Sequence, residues 1–237
     1  LRENGITGDT RRISEYCYLE PVTELWKEEF SVKDQSEGKP AEYTVTISSE
    51  KEHSLNISED EVRHSIKVQG ALARIGELMG FQIWLPRPDR ALVAKVWKPK
   101  SEGVLLDELP LSYDSKTLST IRLIDVIWFK NRRSIARAFE VEHTTSIYSG
   151  ILRMADLVAL QPDIKIKMHI VAPFERQDKF LTEIRRPVFT YMTNARLSEM
   201  CTFISYDNIE LIADLPHLHR TNDGILEDYE VSAESQD

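Results

Sequence analysis

Hydrophobic and polar positions change rhythm near Ser58. Downstream of it, "SEDEVRHSIKVQGALARIGELMG" places Val62, Ile66, Val68, Leu72, Ile75 and Met79 in a stripe at helical spacing. Ser58 followed by Glu61 is a capping box and Gly80 a natural stop, so a helix is predicted between them. "FQIWLP" then reads as a strand halted by Pro86 and Pro88. A polar excursion, "DRALVAKVWKPKSEGVLLDELPLSYDSKT", leads to a strand over "IRLIDVIWF", with Asp125 near its middle. "KNRR" turns the chain into a second strand, "SIARAFEVEH", and the two form a hairpin. "TTSIYSGILRMADLVAL" predicts a helix capped by Thr144, Thr145 or Ser146. The strand "IKIKMHIVAP", the helix "ERQDKFLTEIRR" ended by Pro187, and the short strand "CTFISY" complete the pattern.

A hairpin makes one strand pair antiparallel, and a helix crossing between strands makes another parallel. The expected fold is therefore α/β, a mixed central sheet flanked by helices. Residues 1–57 follow a different pattern and read as an N-terminal extension or small subdomain. Within them "ISEYCYLEPVTELWKEEF" has the spacing of an amphipathic helix interrupted at Pro21, "VKDQSEGKP" reads as a polar loop, and "AEYTVTISS" alternates like a strand. The α/β unit runs over 58–206, and 207–237 is an acidic C-terminal helix or tail, expected to fray after about Asp223.

Composition narrows the function classes. Hydrophobic residues at 41% and charged residues at 29% of the 237 are an ordinary globular profile. No apolar run reaches the ~18 residues that a membrane span needs. "LRENGITGDT" has neither an initiator Met nor a signal-peptide pattern, which reads as a piece of something longer, with the cytoplasm as the default location. Cys17 and Cys201 form no CxxC motif, so neither a disulfide framework nor a zinc knuckle is expected. Dinucleotide and P-loop glycine patterns are absent. The net charge of −9 argues against a free-standing nucleic-acid binder. It is unevenly spread, however. Lys116–Met200 holds 14 Lys and Arg against 9 Asp and Glu, a local +5 that leaves −14 for the flanks and is compatible with phosphate binding.

The odd feature lies inside that basic segment. Glu140 and Glu142 are one residue apart on an apolar strand, so both point to one face about 7 Å apart. Like charges in such a place must be protonated, solvated or bound to a cation. With Asp125 on the partner strand, three acidic side chains can converge, a donor set suited to Mg²⁺ or Mn²⁺. A metal held this way supports phosphodiester hydrolysis, with Glu142 either a ligand or the general base. The competing reading puts Glu140 and Glu142 on an exposed face, paired with Arg132, Arg133 or Arg137.

Asp125, a short hairpin and Glu140-x-Glu142, in the order "VQGALARIGELMGFQIWLP", "LLDELPL", "LIDVIWFK", "AFEVEHTTSIYSGILRMADL" and "IVAP", resemble the PD-(D/E)XK nuclease superfamily, the restriction-endonuclease-like fold. The likeness is to a bacterial group of restriction-type endonuclease domains and covers about Ser58 to Tyr206. It implies a Mg²⁺- or Mn²⁺-dependent endonuclease acting on DNA, in a restriction or phage-defence setting. Asp125 and Glu140 match the two metal-binding acids, Glu142 stands where most members have Lys, and Glu77 matches an accessory acid on the first helix. Some members use Glu at that Lys position. The alternative is a catalytically inactive nuclease-like module for DNA binding or protein assembly. DNA is the expected partner, within a larger protein or complex. Double-strand cleavage often needs two active sites, which allows a homodimer, although no dimer face is legible.

Other residues have plainer readings. Lys165 and Lys167 share a strand face and are expected to be solvent-facing. His143 points away from the acids by alternation. Tyr148 and Arg153 on the following helix face either a phosphate or ordinary packing and ion pairing. His217 and His219 lack partners for a metal site, and Arg185 and Arg186 complement a helix end.

Overall fold

The computed structural model describes residues 28–34, 41–47, 59–142, 147–160, 166–191 and 196–234. The chain divides into two compact units, Leu1–Asn56 and Ile57–Asp237. In the first, β1 (Glu28–Asp34) and β2 (Ala41–Ile47) pair antiparallel, from Glu28 opposite Ile47 to Asp34 opposite Ala41. The strand at β2 matches its alternation. At β1 the structure departs from the expected helix end and polar loop. Phe30 and Val32 alternate with polar neighbours, so "FSVKD" has strand rhythm, and pairing with β2 satisfies backbone groups that a loop leaves to water. The expected helix before residue 28, Cys17, Ser58 as a cap, the caps at 144–146, His143 and Lys165 lie outside the described residues.

The second unit holds α1 (Glu59–Leu78), β3 (Gln82–Trp84), α2 (Arg90–Val93), α3 (Ser115–Ile121), β4 (Val126–Lys130) and β5 (Ser134–Val141). There follow α4 (Ile147–Leu160), β6 (Lys167–Ala172), α5 (Gln177–Ile184), α6 (Pro187–Thr190), α7 (Leu197–Met200), β7 (Cys201–Ser205) and α8 (Tyr206–Ala213). The sheet order is β3-β4-β5-β6-β7, antiparallel through β5 and parallel beyond it, the mixed sheet expected.

Both faces of the sheet are covered, which is why β4 reads as an almost continuous apolar run. Ile127, Ala138, Met168, Ile170 and Phe203 pack with Ile151 and Met154 of α4 and with Phe180 of α5. The alternate residues Trp128, Phe139, Val141, Val171 and Ile204 pack with Val68, Leu72 and Ile75 of α1 and with Ile209 and Ile212 of α8. The predicted stripe of α1 is thus the buried one at Val68, Leu72 and Ile75, and Gly80 takes φ +87° just past the helix end. The Trp128 indole donates to the Leu72 carbonyl across α1, at 3.1 Å. A Cβ on Gly76 would sit 2.5 Å from that indole nitrogen, so helix and sheet approach this closely only over a glycine.

Two expectations are corrected. Residues 115–121 are helix, so Ile121, expected to open the strand, instead closes a helix. Asp114 accepts from the Lys116 and Thr117 amides at 2.9 and 3.1 Å, an N-cap strong enough to draw Ile121 into a buried helix end. Asp125 therefore immediately precedes β4 instead of lying mid-strand. The tail does not fray at Asp223 either. Residues Asp223–Asp228 form a 3-10 helix with Leu226 buried, and Val231 exchanges two 2.8 Å backbone hydrogen bonds with Phe203. Ion pairs add to this: Asp223 and Glu227 reach Arg137, and Glu230 reaches Lys167.

Candidate functional site

The antiparallel pairs bring the end of β3, the start of β4 and the end of β5 to one edge of the sheet. Val126 lies opposite Phe139, so Asp125, one residue earlier, comes level with Glu140. Its Oδ2 accepts the Val141 amide at 2.7 Å, which fixes the half-buried carboxylate against the far strand. Burial pushes the Asp125 carboxyl up to about 6, resisted by the Val141 amide and by the charge of Arg153 and assisted by Asp89.

Glu140 shares the face of Ala138, towards α4, and is 0% exposed. Arg153 of α4 donates from Nη1 to its Oε2. Its Oε1 is buried and has no hydrogen-bond partner among the described residues. Burial, with the neighbouring charge of Asp125, holds the Glu140 carboxyl well above its ordinary range; Arg153 opposes this and Glu142 adds to it. Glu142 is also buried. Its backbone is clamped from both sides, the amide donating to Val171 at 2.8 Å and the carbonyl accepting from the Tyr206 hydroxyl at 2.9 Å. Its Oε1 accepts from the Ser149 hydroxyl at 3.3 Å, and the carboxylate lies against Gly150, where a Cβ would come 2.7 Å from the same oxygen.

The structure thus brings Asp125, Glu140 and Glu142 to one edge, and rules out the reading in which Glu140 and Glu142 lie exposed and pair with the hairpin arginines. Glu140 pairs with Arg153, and Arg137 points to the opposite face, to Asp223 and Glu227. Glu77 is placed elsewhere. Its two oxygens accept from the Trp97 indole at 3.0 Å and the Lys100 amide at 2.6 Å, and it is not among the charges acting on Asp125 or Glu140. Lys167 pairs in register with Arg137 on the opposite face and reaches Glu230 at 3.6 Å, so it cannot serve the acids. Tyr148 lies against Phe189, with the Arg186 guanidinium 5.3 Å from its ring.

One acid escaped the sequence reading. Asp89, half-buried just past β3, is close enough for its charge to raise Asp125, and burial raises its own carboxyl. The available signal was topological: a residue following the first strand of an antiparallel trio shares the edge that starts the second. Asp89 also lines a depression of about 610 Å³ together with Trp84, Pro86, Leu109, Arg122 and Leu123, a lining that does not include Asp125, Glu140 or Glu142.

Among the described residues no three His, Cys, Asp or Glu side chains form a ready metal cage. The reason is visible at each acid: Arg153 holds one oxygen of Glu140, and Glu142 is drawn toward Ser149 and Gly150. The residues nevertheless fit a hard divalent cation. Glu140 Oε1 is a buried oxygen with no donor among the described residues, beside a second carboxylate whose charge makes ionising it harder.

Fold and site together define an α/β domain with a mixed five-stranded sheet and carboxylates gathered at one strand edge, consistent with a restriction-endonuclease-like core. A family model described as the Type II restriction enzyme NmeDI C-terminal domain matches residues 45–230, and the chain belongs to that family. The Type II restriction enzyme NmeDI of Neisseria meningitidis serogroup C is 33% identical over 136 residues, 55% of this chain and 38% of that enzyme. The chain therefore spans well under half the length of this relative. No solved structure matches it.

Proposed function

We propose that the chain carries a metal-dependent endonuclease site of the PD-(D/E)XK type that hydrolyses DNA phosphodiester bonds. The observation that carries this reading is Glu140: fully buried, one oxygen without a partner among the described residues, level with Asp125, in a domain of a restriction-enzyme family. Asp125 and Glu140 are the residues that would hold Mg²⁺ or Mn²⁺. Such an ion, when bound, polarises the phosphoryl oxygen and acidifies a water. Asp125 is pre-positioned by the Val141 amide. Glu142, oriented by Ser149, takes the proton of the attacking water as the P–O bond to the leaving oxygen breaks. The depression lined by Asp89 and Arg122 offers the adjoining strand a concave path.

In the wider reading the chain serves restriction or phage defence in the cytoplasm, as the nuclease part of a longer protein, with a second copy supplying the second cut of a duplex. Among the described residues no helix is long and apolar enough to cross a membrane. The test is cleavage of varied DNA with Mg²⁺, Mn²⁺ or EDTA, comparing wild type with Asp125→Asn and Glu140→Gln. Metal-dependent nicking lost by at least ~100-fold in both folded variants is expected. Metal-indifferent, salt-sensitive DNA binding with no mutation-sensitive cleavage would instead favour a binding module.

A further inference from the structure

Among the described residues Arg153 is the cation acting on the acid edge, and its placement is systematic. Ser149 and Arg153 are four apart on α4 and so lie one above the other on a single helix face. Glu140 on β5 and Glu142, one residue past its end, are two apart and so share a face. A helical turn and a strand repeat have nearly the same length, about 5–7 Å. As α4 returns over the sheet, Ser149 meets Glu142 and Arg153 meets Glu140. Arg153 acts on Asp125 as well, and its side chain remains 32% exposed while Glu140 is sealed. It therefore bridges the buried acids and the surface. Among the described residues only one of the two Glu140 oxygens is engaged, so the other stays open to a cation.

We propose that Arg153 is a displaceable counter-ion. In the metal-free protein it neutralises Glu140. When a divalent cation takes the Glu140 carboxylate, the guanidinium is released to a phosphate oxygen of the bound strand. This rests on the endonuclease reading and deepens it. Three carboxylates leave the developing negative charge of phosphodiester hydrolysis without a protein donor, and Arg153 is the side chain placed to provide one. Its length and partial exposure allow the exchange, and its planar fork suits a phosphate as well as a carboxylate.

The role separates from a structural one because two readouts must move in opposite directions. In calorimetric titration of the DNA-free chain, Arg153→Gln is expected to bind Mn²⁺ roughly tenfold more tightly than wild type, since the competing positive charge is gone. In single-turnover cleavage the same variant is expected to lose about 100-fold. Arg153→Lys keeps the charge and is expected to retain wild-type Mn²⁺ affinity with partial cleavage. Unchanged or weaker Mn²⁺ binding by a folded Arg153→Gln, or wild-type cleavage by it, overturns the proposal. If Arg153→Gln does not fold, Mn²⁺ affinity in Arg153→Lys that differs from wild type by tenfold or more overturns it as well. Mn²⁺ binding by wild type that disappears in Asp125→Asn secures the underlying site independently of Arg153. A wild type that binds no Mn²⁺ ends both readings.

Discussion

Strand β5 carries buried charge on each of its faces, and the two are treated differently. Towards α1 and α8, Arg137 is 3% exposed and every arm has a partner. Nε donates to Asp223 at 2.7 Å, Nη2 to Glu227 at 3.4 Å and Nη1 to His169 Nε2 at 3.3 Å. The relay continues from His169 Nδ1 to Thr202 at 2.8 Å, and from Thr202 to Glu230 at 3.0 Å. Towards α4, among the described residues, Glu140 has one cation, two acidic neighbours and an oxygen with no donor. A satisfied network fixes structure; an under-satisfied one keeps a capacity to bind. The first fastens the C-terminal segment to the sheet, and the second is where a cation would relieve strain among charges.

The largest expected effect breaks the satisfied side. Arg137→Met keeps the buried stem but leaves Asp223, Glu227 and a neutral imidazole without their cation. Unfolding in urea should show a loss of about 3–4 kcal/mol, towards the low end for removing one partner of a buried ionic network because Asp223 and Glu227 keep some solvent. Hydrogen exchange at the Val231 and Phe203 amides should quicken with it. Stability unchanged within about 0.5 kcal/mol would mean that the network does not hold the tail.

The two faces should also answer pH in opposite senses. Asp125 has a folded pKa raised to about 6 from 3.8, so its proton contributes stability that is fully present below the unfolded value and lost as pH rises through about 6. Across that window, in EDTA, the loss should be on the order of 2–3 kcal/mol, from a shift of about two units. Asp125→Asn should remove that part of the loss and leave the part of the same sign that comes from Glu140. Burial and the charges of Arg137 and Lys167 hold His169 well below its usual range. Its contribution is present above the unfolded value near 6.5 and declines as pH falls below it. Urea titrations from pH 4 to 8 on wild type, Asp125→Asn and His169→Gln check both signs. A profile that Asp125→Asn leaves unaltered would remove the buried-acid account.

Much of this was legible in the chain. The stripe of α1, its stop at Gly80, the β4–β5 hairpin and the mixed sheet all follow from periodicity and turn residues, because in each the local preference and the packed arrangement agree. The pairing of Asp125 with the β5 acids was legible too, although its place was not. Asp114 out-competes strand rhythm through a side-chain cap, a local event that hydrophobic spacing cannot register. Asp89 and the docked tail were hidden for the opposite reason. Both depend on partners far along the chain, Asp125 for the one and Arg137, Lys167 and Phe203 for the other. The sequence leaves Arg153 facing either a phosphate or an ion-pair partner; the structure pairs it with Glu140.

The finest test of the contrast is Gly150→Ala. On the satisfied face a single added methyl would meet packed side chains and be read as stability. Here it would meet Glu142 Oε1 at 2.7 Å and Ile170 Cδ1 at 3.2 Å, and the carboxylate is the part able to move. Replacing glycine within α4 gains up to about 1 kcal/mol of helix propensity, which offsets the crowding at Ile170. Net stability should therefore change by less than about 1 kcal/mol. Cleavage, if Glu142 is the base, should fall by roughly tenfold, because a sub-ångström displacement of a positioned group degrades proton transfer without unfolding anything. A stable Gly150→Ala protein that cleaves at the wild-type rate would remove Glu142 from the chemistry and leave Asp125 and Glu140 to account for it.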